Sequence, residues 1–428
     1  MSREAIDLGK YIEGVAAPSA QGLNTCTHCG LCLNSCPTYR VLGQEMDSPR
    51  GRVFMMRQVH EEQMPLSEMI AHHLYVCLDC RACETACPSG VPYGALVEAG
   101  RAQVEAAGLT PRRWRLMRWL LNGVILPRPW LTRALFAIPR LYATSPLRGL
   151  IRRLLPRGLR AWEAVLPDPT SPIPLRERSA LASTTKGSPE PVKVMALTGC
   201  VMEALLAHLN RATESVLRKA GYEVVPPHDG CCGALNVHAG ERDKAQQMAR
   251  ALIEAFERSG ASYFVSNSAG CGAQLKEYAH LFEQDDPWHE RAERFASRVL
   301  DLSQAVVARG VTAHRTLDAS VTYQDACHLA HAQRIRKEPR TLLKECADGG
   351  FRELGDDQCC GSAGVYNLTH PEIANELLRQ KLEKIAATGA RLVVTGNPGC
   401  LLHLRKGVAE RGMDVDVRHI AEVLDATL

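Results

Sequence analysis

Two cysteine runs constrain this chain more than anything else in it. CTHCGLCLNSCP supplies Cys26, Cys29, Cys32 and Cys36 ahead of Pro37, and CLDCRACETACP supplies Cys77, Cys80, Cys83 and Cys87 ahead of Pro88. Three thiolates spaced by two residues can wrap one iron–sulfur cube, and in two-cluster ferredoxins the fourth cysteine, next to proline, ligates the other cube. The spacing therefore predicts two [4Fe–4S] clusters. One takes Cys26, Cys29, Cys32 and Cys87; the other takes Cys77, Cys80, Cys83 and Cys36. Zinc also accepts Cys-x₂-Cys, but as two pairs of ligands and not as a run of four closed by proline, twice. His28, inside the first run, reads as a neighbouring or surface residue and not as a ligand.

The remaining nine cysteines carry a second pattern. Cys200, Cys231, Cys232 and Cys271 are followed at offsets of 127 to 129 residues by Cys327, Cys359, Cys360 and Cys400, leaving only Cys346, which reads as structural. Each unit opens on a strand-like run (VKVMALTGC, SVTYQDAC), passes through a helical stretch to Cys-Cys-Gly, and ends on a second strand-like run (YFVSNSAGC, RLVVTGNPGC). Strands alternating with helices predict α/β units with parallel sheets, and the terminal cysteines fall after strand carboxyl ends, where such folds place their sites. Adjacent cysteines are strained as a disulfide. Four reduced thiols per unit make a candidate metal or redox site instead, against the alternative of packed free cysteines. His328, beside Cys327, and His403, in CLLH, are further candidates as ligand or proton carrier; isolated histidines near strand ends are more often hydrogen-bonded bystanders, so neither joins the expected site.

The expected fold class is α+β and multidomain: a mainly α-helical two-cluster ferredoxin domain over 1–105, a basic Trp/Arg-rich connector and linker over 106–191, and two repeated α/β Cys-Cys-Gly domains over 192–315 and 316–428. Helical spacing is evident around 53–63 and 66–76, and 167–191 is rich in Pro, Ser and Thr. The 428 residues suffice for several cores, and a net charge of +4 does not argue for nucleic acid. The start has scattered charge and no apolar core, so no signal peptide is expected, and no apolar run approaches the ~20 residues of a spanning helix. Seventeen cysteines in a reducing compartment favour metal ligation over disulfides. From Ala106 to Trp162 there is no acidic residue but there are twelve arginines and four of the five tryptophans (Trp114, Trp119, Trp130 and Trp162). Prolines cut this stretch into short pieces, so it is expected to lie on an anionic membrane surface or to dock an acidic partner.

These residues resemble the iron–sulfur subunits of glycolate oxidase (glycolate dehydrogenase) across essentially the whole chain. The likeness rests on CTHCGLCLNSCPTYRVLGQEMDSPRGR, on CLDCRACETACPSGVPYG, and on GCCGALNVH and CCGSAGVY. It implies an oxidoreductase complex in which FAD-bearing partner subunits oxidise glycolate to glyoxylate, while this subunit relays the electrons towards membrane quinone. The location implied is cytoplasmic, peripheral on the inner face of the cytoplasmic membrane. The related Cys-Cys-Gly domains of heterodisulfide reductase end in Cys-x₂-Cys. Here the second position is Gln274 in CGAQ and His403 in CLLH, a departure from a non-cubane cluster site of that kind. The sequence contains no strand–GxGxxG–helix fingerprint, Walker A loop or nucleophile elbow. No catalytic residue for a hydroxy acid is therefore assigned, and the organic step is expected on a partner flavin. The competing functions are a disulfide reductase acting at a Cys-Cys-Gly cluster, and the iron–sulfur subunit of a D-lactate or anaerobic glycerol-3-phosphate dehydrogenase.

Overall fold

The computed structural model describes residues 10–110, 115–116, 119–125, 128–135, 141–142, 145, 148–156, 163, 173–177, 191–227 and 230–428. Much of the basic stretch, including Trp114 and Trp162, lies outside them.

The amino-terminal region is helical because its apolar residues recur at helical spacing and its helix starts are capped. Helix α1 (Pro49–His60) begins where Ser48 Oγ accepts from the Gly51 amide (3.0 Å), with Pro49 in the first turn. Ser67 caps α2 (Glu68–Val76) in the same way, and α3 (Tyr93–Ala106) closes the bundle. Val53, Met56, Val59, Ile70, Leu74, Leu96 and Val97 form its core, against which cysteines from both motifs pack.

The DSPRGR segment is the frame of this domain. Arg52 is fully buried and donates to the His73 carbonyl (2.7 Å), to Thr38 Oγ1 (3.2 Å) and to Asp47 Oδ1 (3.2 Å). Asp47 Oδ1 also meets His73 Nδ1 at 2.9 Å. Gly51 leaves no room for a side chain, since a Cβ there would lie 2.0 Å from the Glu45 carbonyl oxygen. Arg50 reaches the His28 carbonyl (3.2 Å), joining the segment to the first cysteine loop.

Two four-stranded parallel sheets follow. In the first, β1 (Val192–Ala196), β2 (Tyr222–Val225), β3 (Tyr263–Ser266) and β4 (Val299–Asp301) are ordered β2-β1-β3-β4, with Val194 opposite Val224 and Tyr263. In the second, β5 (Val321–Gln324), β6 (Phe351–Arg352), β7 (Leu392–Thr395) and β8 (Asp416–His419) are ordered β6-β5-β7-β8. The topology is the same, as the repeat in the sequence requires. Strands β5 and β7 are buried throughout, which suits a parallel sheet covered on both faces by helices. In the first unit these helices include α4 (Ala207–Lys219), α5 (Arg242–Ser259) and α6 (Ala269–Lys276). In the second they are α7 (Lys337–Ala347), α8 (Pro371–Thr388), α9 (Pro398–Arg411) and α10 (Ile420–Thr427).

The strands end earlier than their sequence runs suggest: Cys271 lies in α6 and Cys400 in the first turn of α9, each just beyond a strand end. The repeats share one core, in which Val194, Val216 and Leu217 pack with Val321, Leu343, Ile420 and Leu424. Within the stretch read as linker, Leu175–Glu177 pairs antiparallel with Arg315–Leu317. The ferredoxin region docks on both repeats. Tyr366 Oη donates to the Val76 carbonyl (2.8 Å), and Arg101 donates to the His238 carbonyl (3.1 Å). Gly240 has φ +83 and lies so close to Arg101 that a Cβ would meet its carbonyl oxygen at 2.5 Å.

Candidate iron–sulfur sites

Each ferredoxin loop turns its thiols inward through left-handed backbone at two matched positions. His28 (φ 57) and Gly30 (φ 84) flank Cys29, and Asp79 (φ 54) and Arg81 (φ 61) flank Cys80. Non-glycine residues in this region carry strain of order 1 kcal/mol or more, so something must hold them there. In the second loop it is charge. Arg81, almost fully buried, bonds Asp79 (2.9 Å), Glu98 (3.0 Å), Glu84 (3.2 Å) and, from the first repeat, Glu277 (3.3 Å). His238, also from the first repeat, meets Asp79 at 3.0 Å. Burial pushes the Glu277 carboxyl up to about 7, while the carboxylates of Asp79 and Glu98 lift His238 to about 9 against its own burial. Asp79, Glu98 and His238 lie close enough to chelate an ion. Arg81 and Arg101 already supply the positive charge, so the group is an ion-pair cluster that clamps the loop to the repeat. Sequence reasoning missed it. The usable signal was Arg81 standing where the first loop has Gly30.

The thiols gather in two neighbouring pockets. Cys26, Cys29 and Cys32 line one together with Cys83 and Cys87; Cys36 lines the other with Cys77, Cys80 and Cys83. The fourth cysteine of each run thus sits with the triplet of the other run, and Cys83 borders both pockets. Cys29 is exposed, whereas Cys36, Cys77, Cys80 and Cys83 are buried. Burial raises the Cys80 and Cys83 thiols well above their ordinary range and lifts Cys32 to about 11. Four such thiols become thiolates together only when a cation compensates them. The donor set fits an iron–sulfur cluster in each pocket. Backbone N–H groups are aimed at sulfur as well: the Asp79 amide donates to Cys77 Sγ (3.3 Å).

The Cys-Cys-Gly units are built alike. Gly233 (φ 78) and Gly361 (φ 90) are left-handed, and their amides donate to Cys231 Sγ and Cys359 Sγ, both at 3.4 Å. A Cβ on Gly361 would lie 2.6 Å from the Ala374 carbonyl oxygen of α8, so only glycine lets the turn pack on that helix. Cys200 and Cys231 are 3.6 Å apart, Cys327 and Cys359 3.9 Å, and Cys360 and Cys400 3.3 Å. Hydrogen bonds within each quartet split the thiols. Cys231 and Cys271 are lowered, chiefly by their hydrogen bonds with Cys200 and Cys232 respectively. Cys327 and Cys360 are both lowered, chiefly by their hydrogen bonds with Cys359. Cys200, Cys232, Cys359 and Cys400 are raised. None of the seventeen cysteines forms a disulfide, and Cys346 lies apart in the shared core.

Both quartets line one large cavity of about 1120 Å³, bounded also by Cys77, Leu78, His238, His328 and His403. Cys80 and Leu78 of the ferredoxin region pack against Cys327 and Cys359, so the buried ferredoxin pocket adjoins the second quartet. His328 Nδ1 lies 3.6 Å from Cys327 Sγ, and its ring is 5.4 Å from that of His238.

A helical domain with two cross-built thiol pockets, fused to two parallel-sheet domains that each present four thiols, defines an iron–sulfur electron-transfer protein. Family comparison agrees: residues 22–91 match the 4Fe-4S dicluster domain, and 194–276 and 321–405 each match the cysteine-rich domain. The chain is 38% identical over 418 residues to the probable glycolate oxidase iron–sulfur subunit of Bacillus subtilis, covering 94% of this chain and 93% of the relative. It is 34% identical to the glycolate oxidase iron–sulfur subunit of Escherichia coli, covering 95% and 94%. Lactate utilization protein A of Bacillus subtilis is 30% identical over 239 residues, its whole length but 55% of this chain. The chain belongs to the family of glycolate oxidase iron–sulfur subunits.

Proposed function

We propose that this chain is the electron relay of a glycolate-oxidising dehydrogenase, taking electrons from FAD-bearing partner subunits and passing them towards quinone at the inner face of the cytoplasmic membrane. The observation that carries the reading is the continuous run of thiol groups, from exposed Cys29 through the buried ferredoxin pocket to Cys327 and Cys359. Its ligand sets are Cys26, Cys29, Cys32 and Cys87, then Cys77, Cys80, Cys83 and Cys36, with one further iron–sulfur group in each Cys-Cys-Gly quartet. Such clusters supply reversible one-electron transfer. The protein contributes burial, amide hydrogen bonds to sulfur, and an exposed apolar rim at the first pocket, where Leu31 and Phe54 offer a docking face to a flavoprotein. The working units are 1–105, the connector 106–191, and the repeats 192–315 and 316–428. The test is co-purification of the intact complex followed by a hydroxy-acid screen with a dye acceptor. Glycolate should be preferred; preference for D-lactate or glycerol 3-phosphate would replace this reading.

Two consequences can be measured on the chain alone. Purified without partners, it should not reduce dye with glycolate, because nothing in its sequence marks a flavin seat; turnover by the lone chain would contradict the relay role. In full-length protein, Cys231→Ala and Cys359→Ala should each lower iron by about one cluster's worth, roughly 4 Fe if the group is a cube. Unchanged iron would reduce the quartets to packed thiols. The size of the cavity supports a second reading, in which a disulfide substrate is reduced beside the quartets. Disulfide-dependent oxidation of a reduced dye would favour it.

The membrane location draws on the basic connector. Among its described residues Leu116, Trp119, Leu120, Trp130, Leu135 and Leu141 are exposed, although Arg148 is already paired with Glu163 (2.6 Å). No helix among the described residues is long and apolar enough to cross a membrane. Each arginine near an anionic surface adds about 1 kcal/mol, so binding to anionic liposomes should be firm at low salt and weak at high salt. Flotation at two salt concentrations decides it. If the protein ignores anionic vesicles at low salt, the connector docks an acidic partner instead.

A further inference from the structure

Three histidines of the second repeat, His328, His403 and His419, each have a buried ring nitrogen without a hydrogen-bond partner among the described residues, and His403 is the one that follows a quartet cysteine by one helical turn. It follows Cys400 by three residues on α9, so the imidazole and the thiol project from one face of the helix, a turn apart. It is 2% exposed and lines the large cavity with Cys327, Cys359, Cys360 and Cys400. Its Nε2 lies 3.4 Å from the Ala374 carbonyl oxygen on α8. A carbonyl only accepts, so in the neutral ring that nitrogen carries the hydrogen and Nδ1 keeps a bare lone pair. Nδ1 is buried and has no hydrogen-bond partner among the described residues. Ala374 is also where Gly361 packs, so the carbonyl that orients the imidazole is fixed to the Cys359–Cys360 turn itself. A buried imidazole that donates one N–H to a backbone carbonyl and aims an unshared lone pair elsewhere has the arrangement of a metal-ligating histidine.

The first repeat has no imidazole at the matching position. The residue three beyond Cys271 is Gln274, also buried, whose amide is a far weaker ligand for iron than imidazole.

We propose that His403 Nδ1 is a nitrogen ligand to the iron–sulfur group at Cys327, Cys359, Cys360 and Cys400. The second repeat then holds a mixed thiolate–imidazole centre, while the first is ligated by thiolates alone. This rests on the reading that the quartets bind iron. Neutral imidazole in place of an anionic thiolate raises a cluster's reduction potential, so putting a thiolate at position 403 should lower the potential of the second centre.

The test uses the full chain, purified anaerobically, wild type and with ¹⁵N-labelled histidine. Pulsed EPR across a stepwise reductive titration should show directly bound nitrogen in wild type, with the coupling changed by the label. His403→Gln should abolish it, His328→Gln should retain it, and the ferredoxin signals should persist in both as evidence of folding. His403→Cys should keep the iron, lose the nitrogen coupling and move one optical redox transition to lower potential, a readout that does not require a paramagnetic centre. Coupling that survives in His403→Gln, coupling lost in His328→Gln instead, or superimposable titrations of wild type and His403→Cys would overturn the assignment. If Cys359→Ala and Cys400→Ala leave the iron content unchanged, the quartet holds no cluster; the assignment then falls with the broader reading, and the iron assay separates that failure from a wrong ligand.

Discussion

Cys36→Ser is expected to empty the pocket lined by Cys77, Cys80 and Cys83 and to leave the cluster at Cys26, Cys29 and Cys32 in place. Cys36 Sγ sits in the second pocket although its chain neighbours serve the first. It is held there by contact with Thr38 Oγ1 (3.2 Å), whose hydroxyl is tied to the Asp47 carbonyl (2.7 Å). Serine keeps the size but not the soft thiolate, so about half of the roughly eight irons of the ferredoxin region should be lost. Cys87→Ser should do the reverse, removing the cluster on the exposed side. Iron and sulfide analysis with low-temperature EPR distinguishes the two. Loss of the cluster nearest in sequence, in either variant, would show that each run ligates its own cube.

The second large effect is on stability. Arg52→Met should destabilise the ferredoxin region by about 3–5 kcal/mol, the usual cost of leaving one member of a buried ion pair alone. Arg52 is one of the largest fully buried side chains, and its guanidinium joins Asp47, Thr38 and the His73 carbonyl. Methionine fills the volume but leaves the Asp47 carboxylate facing only His73. Adding Asp47→Asn should recover part of the loss, because the uncompensated charge is then gone. Thermal bleaching of the cluster absorbance in wild type, the single variant and the double variant reads this out. Equal midpoints for wild type and Arg52→Met would mean that the network carries no net stability.

Much of this was legible in the sequence, and for identifiable reasons. Cluster chemistry is written in cysteine spacing because a cube accepts thiolates only at fixed separations along a loop. The two Cys-Cys-Gly units were legible because equal offsets between equivalent cysteines demand equal topology, and both sheets have the same strand order. Helices α1 and α2 followed from periodicity. Strand ends were less legible: the runs into Cys271 and Cys400 pass the last paired residues, Ser266 and Thr395, and helices start at Ala269 and Pro398.

The sequence by itself determined the cofactor class, the duplicated α/β units and the family, since each rests on residue types at short, chemically constrained spacings. Only the tertiary structure decided what depends on residues far apart in the chain. It set Cys80 against Cys327, 247 residues away. It drew Arg81, Glu277 and His238 into one ion-pair cluster, and left His403, with a buried Nδ1, lining one cavity with four thiols. Local spacing can specify a ligand loop because the backbone there has few ways to turn. It cannot specify which loops meet, because that is settled by the packing of two repeats and a helical domain around a shared core and cavity.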